Sequence, residues 1–403
     1  MIVLVLNCGS SSIKYQVIDM CEKENLLAKG LVERIGFTNG SLTHKPEGKK
    51  RFETAQNIPD HTVGIDLILN ALVDKKHGVI DNLEEIKAVG HRVAHGGEFF
   101  TESSLVDDKV KVEIEKCVEL APLHNPANLK GIISMENLLP KVPQVAVFDT
   151  SFHQSIPKHA YLYAIPYEYY EKMRIRKYGF HGTSHKYVAQ KGCEISGLDF
   201  NGSKVITCHL GNGASIAAIK NGKSVETSMG FTPVDGLIMG TRCGSIDPGV
   251  LLYIAERDNL DFKGVNDLIN KRSGVEGISG VSSDMRDLES AAAQGNEKAQ
   301  LALDMYYHRV KHFIGSYAAI MGGVDLIVFT GGIGENDVTL REKVATSFEY
   351  LGVDFDLDVN KSVQGMDKVL TKANSKVKVM AVTTNEELVI ATDTARIASN
   401  LNK

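Results

Sequence analysis

IVLVLNCGSSSIKYQVID, residues 2–19, starts with an apolar run from Ile2 to Leu6, breaks at a polar turn rich in glycine and serine, and returns as an alternating strand from Ile13 to Ile18. The same grammar recurs in VITCHLGNGASIAAIKNG, residues 205–222, where Val205 to Leu210 and Ala214 to Ile219 flank the turn GNG. One strand–turn–strand unit opening each half of the chain reads as duplication of a domain, not as a short-period repeat. Strand and helix patterns alternate around both units, which is α/β grammar.

A polar stretch from Phe37 to Asn57 reads as loops or a small hairpin, and Thr62 to Lys76 carries apolar residues at helical spacing. Lys87 to Val93 and Gln144 to Phe148 read as short buried strands. Between them, Asn125 as N-cap and Pro126 at the first helical position predict a helix. In the second half Asp247 and Pro248 repeat that capping logic, Asn296 to Met321 holds a long helix, and Asp325 to Thr330 is a buried strand ending in Gly331 and Gly332. Val377 to Val382 is a last strand, followed by a terminal helix from Glu386. The domain break falls just after Asp149 with no Pro/Ser-rich linker, so the two halves are expected to pack closely around a cleft.

At about 150 residues per domain, 403 residues make two or three domains. A hydrophobic share of 43% and a charged share of 24% are those of a globular protein and exclude disorder. The net charge of −5 argues against nucleic acid as a partner, because phosphate contacts need a basic surface. No stretch reaches the roughly 18 apolar residues of a membrane helix, and the N-terminus lacks the basic region of a signal peptide. The six cysteines are scattered without a CxxC pair, which fits reduced thiols and a cytoplasmic setting.

Three glycine-rich turns each follow an apolar strand: NCGSSSIK (Asn7 to Lys14), HLGNG (His209 to Gly213) and TGGIGEN (Thr330 to Asn336). Glycine lets backbone N–H groups approach an anion, and serine hydroxyls and the Lys14 ammonium add donors. One such turn is usually only a turn; three in one chain, two in matching places, point to phosphate. A P-loop is excluded because Ala217 stands where its first glycine belongs, and GxGxxG is excluded by Asp337.

Cationic residues beside glycine form a second group: His91, Arg92 and His95 in GHRVAHGGE, His181 and His185 in KYGFHGTSH, and Arg242 in GLIMGTRCGSIDPG. The planar fork of arginine suits carboxylate or phosphate. Asp149 and Glu386 follow strands at the end where open α/β sheets place ligands, and either suits Mg²⁺, directly or through water. Capping of the terminal helix is an equal reading of Glu386. Together these residues describe an ATP-type phosphoryl-transfer enzyme with an anionic acceptor.

NCGSSSIKYQ, GHRVAHGGE, VFDTSFH, YGFHGTSH, HLGNGAS, FTPVDGLIMGTRCGSIDPG, TGGIGEN and TNEELVIA run collinearly from residue 7 to about 392 and resemble the motifs of the acetate kinase family. The resemblance implies two duplicated actin-like, ribonuclease H-like domains of the acetate and sugar kinase/Hsp70/actin superfamily around an ATP cleft. They span 1–149 with 386–403, and 150–385, the second binding nucleotide and forming a homodimer interface. It implies reversible, Mg²⁺-dependent transfer (Mn²⁺ serving as well) of the ATP γ-phosphoryl to acetate, giving acetyl phosphate and ADP. By the same resemblance Asn7 and Glu386 hold the metal, and Lys14 with Ser12 contacts the nucleotide phosphates. His209, Leu210, Gly211, Asn212 and Gly213, then Asp284, Met285 and Arg286, and finally Gly332, Ile333, Gly334, Glu335 and Asn336 contact ATP. Arg92 binds the substrate carboxylate in a pocket with Ala94, Leu123, Phe180 and Pro233, and His181 and Arg242 stabilise the transition state. Asp149 is a proton donor/acceptor or the group orienting Arg92. Since the acceptor carboxylate is already ionised at pH 7, the orienting role carries more weight.

One departure concerns the acceptor: Ala94 stands where acetate-specific relatives commonly have valine and propionate kinases alanine. A sugar or glycerol kinase on the same fold and a non-enzymatic ATP-binding switch are the other readings; neither needs arginines aimed at a second small anion.

Overall fold

The computed structural model describes residues 1–21 and 24–402. The chain divides into two compact units, Met1–Gln154 with Asn385–Lys403, and Ser155–Thr384. The change-overs lie a few residues from the breaks at 149 and 385 read from the sequence.

The first unit carries an eight-stranded sheet. Its strands are β1 (Ile2–Cys8), β2 (Ser12–Asp19), β3 (Asn25–Glu33), β4 (Gly40–Pro46), β5 (Phe52–Gln56), β6 (Ile86–Val93), β7 (Ser104–Leu105) and β8 (Gln144–Phe148), in the order β5-β4-β3-β2-β1-β6-β8-β7. β1 is buried along almost its whole length, as its unbroken apolar run requires of a strand covered on both faces. The polar stretch after Phe37 is a hairpin, β4 pairing antiparallel with β5. Helices His61–Leu72 and Asn125–Leu138 pack on one face, where Leu4, Leu6, Ile65, Ile68 and Met135 share a core. The terminal helix Glu386–Ser399 covers the other through Val3, Val5, Ile390 and Ala391.

The second unit repeats the core of that topology. β9 (Lys204–Leu210), β10 (Ala214–Lys220), β11 (Lys223–Thr227), β12 (Leu326–Thr330), β13 (Lys368–Val369) and β14 (Lys378–Ala381) follow the order β11-β10-β9-β12-β14-β13. In both sheets the opening strand pairs antiparallel with its hairpin partner and parallel with the strand on its other side. This is the duplication that residues 2–19 and 205–222 announced. The 25-residue helix Glu297–Met321 is capped by Asn296 and lines the core through Tyr306, Val310 and Ile314.

Two local readings are corrected. The helix expected to be capped by Asn125 has His124 at the cap and Asn125 as its first residue. The reason is tertiary: the Asn125 side chain is buried, accepting from the His95 backbone and donating to the carbonyls of His95 and Ile114. TGGIGEN is not an open turn but a short helix, Gly331–Asn336, entered directly from β12. Gly331 makes that entry with φ at 77°, and a Cβ there would lie 2.7 Å from the Leu210 carbonyl oxygen.

Candidate active site

In the first unit, register builds the site. Asn7 on β1 stands opposite Lys14 on β2. The parallel pairing of β1 with β6 brings Arg92 alongside, and Arg92 is in register with Val147 on β8, whose end delivers Asp149. One row across β2, β1 and β6 therefore carries an ammonium, an amide and a guanidinium, and a carboxylate follows from the end of β8.

Arg92 is held by a fork. Its Nε donates to Asp149 Oδ1 at 3.1 Å, its Nη2 to Asp149 Oδ2 at 2.5 Å, and its Nη1 to Asn7 Oδ1 at 3.3 Å. Guanidinium has five N–H groups. Three are spent, leaving one on each terminal nitrogen. Those two remain as donors for an anion such as a carboxylate. Asp149, Glu386 and Glu387 keep the cation charged, Asp149 contributing most. Asp149 is buried, and burial raises its carboxyl above the usual range; Glu386 adds to this and Arg92 opposes it. The Glu386 carboxyl is raised too, by burial first and by Glu387, against the pull of Arg92 and Lys14.

Ala94 is buried just beyond β6, its N–H fixed at 3.0 Å by Asn128 Oδ1, while Asn128 Nδ2 donates to the Cys8 carbonyl at 2.7 Å. Leu123 is 74% exposed. Ser12 pairs with Glu33 on β3 and Lys14 is exposed.

Metal chemistry can be tested on this donor set. Asn7 supplies an amide oxygen, and Glu386 and Asp149 are carboxylates, the charge of Glu386 raising the proton affinity of Asp149. Hard oxygen donors, few in number, fit Mg²⁺, which keeps waters and substrate phosphates as its other ligands. Among the described residues no cluster of three His, Cys, Asp or Glu could cage a metal by itself. Glu386 is the first residue of its helix, and the capping acceptor is Asn385, to which Leu388 N–H donates.

In the second unit, His181 has left-handed backbone, φ 55° and ψ 23°, at the start of helix Gly182–Ser196. That conformation costs a non-glycine residue roughly 1–2 kcal/mol, and such strain collects at functional sites. Its ring stacks on His209 with centroids 4.3 Å apart, and its Nδ1 lies 2.9 Å from Ser215 Oγ. A Cβ on Gly213 would lie 3.4 Å from Arg242 Nη1 and 3.8 Å from His181 Nε2, so the guanidinium and the imidazole converge on the GNG turn. Arg242 donates to the Pro233 carbonyl at 3.2 Å and to Met239 Sδ at 3.7 Å. Both partners are neutral, and burial lowers the guanidinium's proton affinity. An anion would relieve it. Phe180 is buried in this unit's core and Pro233 is half-buried.

Beside the turn lies a cavity of about 770 Å³. Gly211, Asn212, Asp284, Met285, Arg286, Gly332, Ile333 and Asn336, all singled out in the sequence, line it. Asp284 caps helix Met285–Ala293 and grips Arg286 through two side-chain hydrogen bonds, 3.0 and 2.6 Å, which lower the Asp284 carboxyl to about 2. Leu210 and Gly334 are buried beneath the cavity. Glu335 turns away from it: Oε1 accepts from Gly331 N and Thr384 N, each at 3.0 Å, and from Thr330 Oγ1 at 3.3 Å. This carboxylate ties β12 to the segment after β14.

Sequence reasoning missed Ser283, Glu289, Asp337 and Gln364, which also line the cavity. Glu289 lies four residues after Met285, on the same helical face, and Asp337 directly follows the third motif, so both were findable by extension. Gln364 sits in a loop with no local signal.

A model of the Acetokinase family matches residues 2–392. The chain is 56% identical over 396 residues to an acetate kinase of Desulfitobacterium hafniense, covering 98% of each chain. Among solved structures it is similar to the Porphyromonas gingivalis acetate kinase, with a TM-score of 0.96 and 52% identity over 98% of this chain and 99% of that one. It is also similar to a propionate kinase from Francisella tularensis, with a TM-score of 0.90 and 41% identity over 98% and 99%.

Proposed function

The chain belongs to the acetokinase family of ATP-dependent carboxylate phosphotransferases, and from that premise we propose that it transfers the γ-phosphoryl of ATP reversibly and in line to acetate, giving acetyl phosphate and ADP. The observation that carries the reading is the fork of Arg92, fixed on three N–H groups by Asp149 and Asn7 and left with one N–H on each terminal nitrogen for a carboxylate.

Acetate at pH 7 is an anion and a competent nucleophile. The residues need only place it and offset charge, which is what phosphoryl transfer asks of a protein. Arg92 binds the carboxylate, and Asp149 orients Arg92 without taking a proton. His181 and Arg242, converging on Gly213, stabilise the transferring phosphoryl. The 770 Å³ cavity takes the nucleoside end of ATP, and Lys14 contacts phosphate. Mg²⁺, when bound, supplies charge neutralisation at the phosphates; Asn7 and Glu386 would hold it.

Two compact units are consistent with an acceptor domain and a nucleotide domain. A homodimer is supported by helices Pro248–Arg257 and Phe262–Lys271, which bury no residue within the chain and leave Leu252, Tyr253 and Phe262 exposed. Six free thiols suit a reducing cytoplasm, and among the described residues no helix is long and apolar enough to cross a membrane. Ala94 favours one second reading, propionate as acceptor, because alanine leaves more room than valine for an acyl tail.

The test is ³¹P NMR of the purified protein with Mg-ATP. Added acetate should convert the γ-phosphoryl signal into acetyl phosphate; release of inorganic phosphate alone contradicts the proposal.

A further inference from the structure

His181 does not stand alone. His185, four residues on and on the same helical face, is fully buried with both ring nitrogens engaged: Nδ1 lies 2.7 Å from Thr207 Oγ1 and Nε2 lies 2.7 Å from Ser215 Oγ. Ser215, buried on β10, stands opposite His209 and reaches His181 Nδ1 at 2.9 Å with the same oxygen. Thr207, Ser215 and two imidazoles thus form one chain ending at His181.

A hydroxyl carries one proton, and each neutral imidazole carries one N–H and one acceptor nitrogen. Ser215 therefore donates to one histidine and accepts from the other. If it donated to His185, His181 would keep its proton on Nδ1 and turn a bare Nε2 toward Arg242 and Gly213. If it donates to His181 Nδ1, then Nε2 of His181 holds the proton, His185 donates from Nε2 to Ser215, and Thr207 donates to His185 Nδ1. Every hydrogen bond is satisfied in either arrangement, so the contacts alone do not choose between them. When His181 takes up a second proton, its Nδ1–H donates to Ser215, the hydroxyls turn, and His185 exchanges with solvent to its Nδ1–H tautomer, so that Ser215 donates to His185 Nε2 and His185 donates to Thr207 and no bond is lost. Only the second arrangement leaves a neutral His181 able to donate to an anion. Among the charged and titratable groups facing His181 are His209, stacked on it, His185 at 6.5 Å between ring centroids, and Arg242 across Gly213.

We propose that Ser215, backed by His185 and Thr207, is a positioning residue that holds neutral His181 as its Nε2–H tautomer, keeping the nitrogen beside Arg242 a hydrogen-bond donor in both charge states. The inference rests on the reading of His181 as the group that faces the phosphoryl.

The test uses full-length protein carrying ¹⁵N-histidine, with the His181 signals assigned by their loss in His181→Asn. At about pH 9, well above the ordinary histidine range, wild-type His181 should be the Nε2–H tautomer, and Ser215→Ala should mix the two. In steady-state assays Ser215→Ala should lower kcat by about 10- to 100-fold at alkaline pH, the range seen when a supporting partner is lost. KM for ATP and acetate should stay within twofold. The loss should shrink as pH falls, because an imidazolium has Nε2–H whatever its neighbours do. A purely structural role gives a loss independent of pH, and that result overturns the proposal. So does an Nδ1–H tautomer in the wild-type protein, a measurement that stands even where Ser215→Ala does not fold. If His181→Asn keeps wild-type kcat, the phosphoryl-facing reading itself fails; if His181→Asn is slow while Ser215→Ala is normal, only the tautomer proposal fails.

Discussion

Replacing Asp149 with asparagine probes the division of labour around Arg92. The aspartate accepts from Nε through one oxygen and from Nη2 through the other. Asparagine keeps one acceptor and sets an amide N–H against an N–H of the guanidinium. One charge-assisted hydrogen bond is lost, worth about 1.5–3 kcal/mol. The pair is little screened by water, since the two side chains are 3% and 25% exposed. Arg92 stays charged, because Glu386 and Glu387 also stabilise its cation, and Nη1 stays tied to Asn7. Orientation is lost and charge is kept, so kcat/KM for acetate should fall roughly 10- to 150-fold with KM for ATP unchanged. The assay is steady-state formation of acetyl phosphate trapped as hydroxamate. Between about pH 6 and 9, where acetate is ionised throughout, the ratio of wild type to variant should be flat; a ratio that bends with pH indicates proton transfer by Asp149. Turnover and acetate KM within twofold of wild type refute the orienting role altogether.

Other perturbations separate the parts of the site. Ala94→Val adds two methyl groups at a buried wall; at about 1–3 kcal/mol per methylene, the ratio of kcat/KM for acetate over propionate should rise at least about tenfold, and a ratio within twofold of wild type removes residue 94 from the acyl pocket. Gly240→Ala would drive a Cβ into Asn212 Oδ1 at the cavity wall, so KM for ATP should rise while KM for acetate holds; the reverse pattern contradicts the placement of nucleotide there. Burial lowers His91 to about 4. Gln144, turned so that its amide nitrogen faces His91 Nε2 at 2.6 Å, also satisfies Ile132 O and Glu136 N, which keeps the ring neutral. Below its ordinary value of about 6.5 the unfolded chain takes up a proton that the folded one refuses. Stability present above that pH is therefore lost as pH falls toward 4, by roughly 3 kcal/mol. Thermal midpoints should show that slope, and His91→Asn should flatten it.

The strands with unbroken apolar runs were legible in the sequence because burial on both faces leaves no other composition for them. Gln144–Phe148 has its expected bounds, and the long helix read over Asn296 to Met321 runs Glu297–Met321, with Asn296 as its cap. β3 was not read, since Asn25–Glu33 alternates weakly and its place is fixed by pairing with β2 and β4. The site residues were legible one motif at a time; what joins them was not. Asn7, Lys14, Arg92 and Asp149 become neighbours only through the registers of β1, β2, β6 and β8. Buried polar residues such as Asn125, Asn128 and Ser215 look like ordinary capping or turn residues until their partners, 30 or more positions away, are in place. Glu335 shows the same limit from the other side, since its motif gave no sign that its carboxylate ties β12 to the segment after β14.

The central claim is that this chain phosphorylates a short carboxylate gripped by Arg92. The most direct measurement is kcat/KM for acetate, propionate and butyrate with Mg-ATP, each acyl phosphate trapped as hydroxamate, for wild type and Arg92→Leu. Robust hydroxamate from acetate that Arg92→Leu lowers by orders of magnitude is the predicted result. Hydroxamate from none of the three acids, or equal yields with and without Arg92, would contradict it.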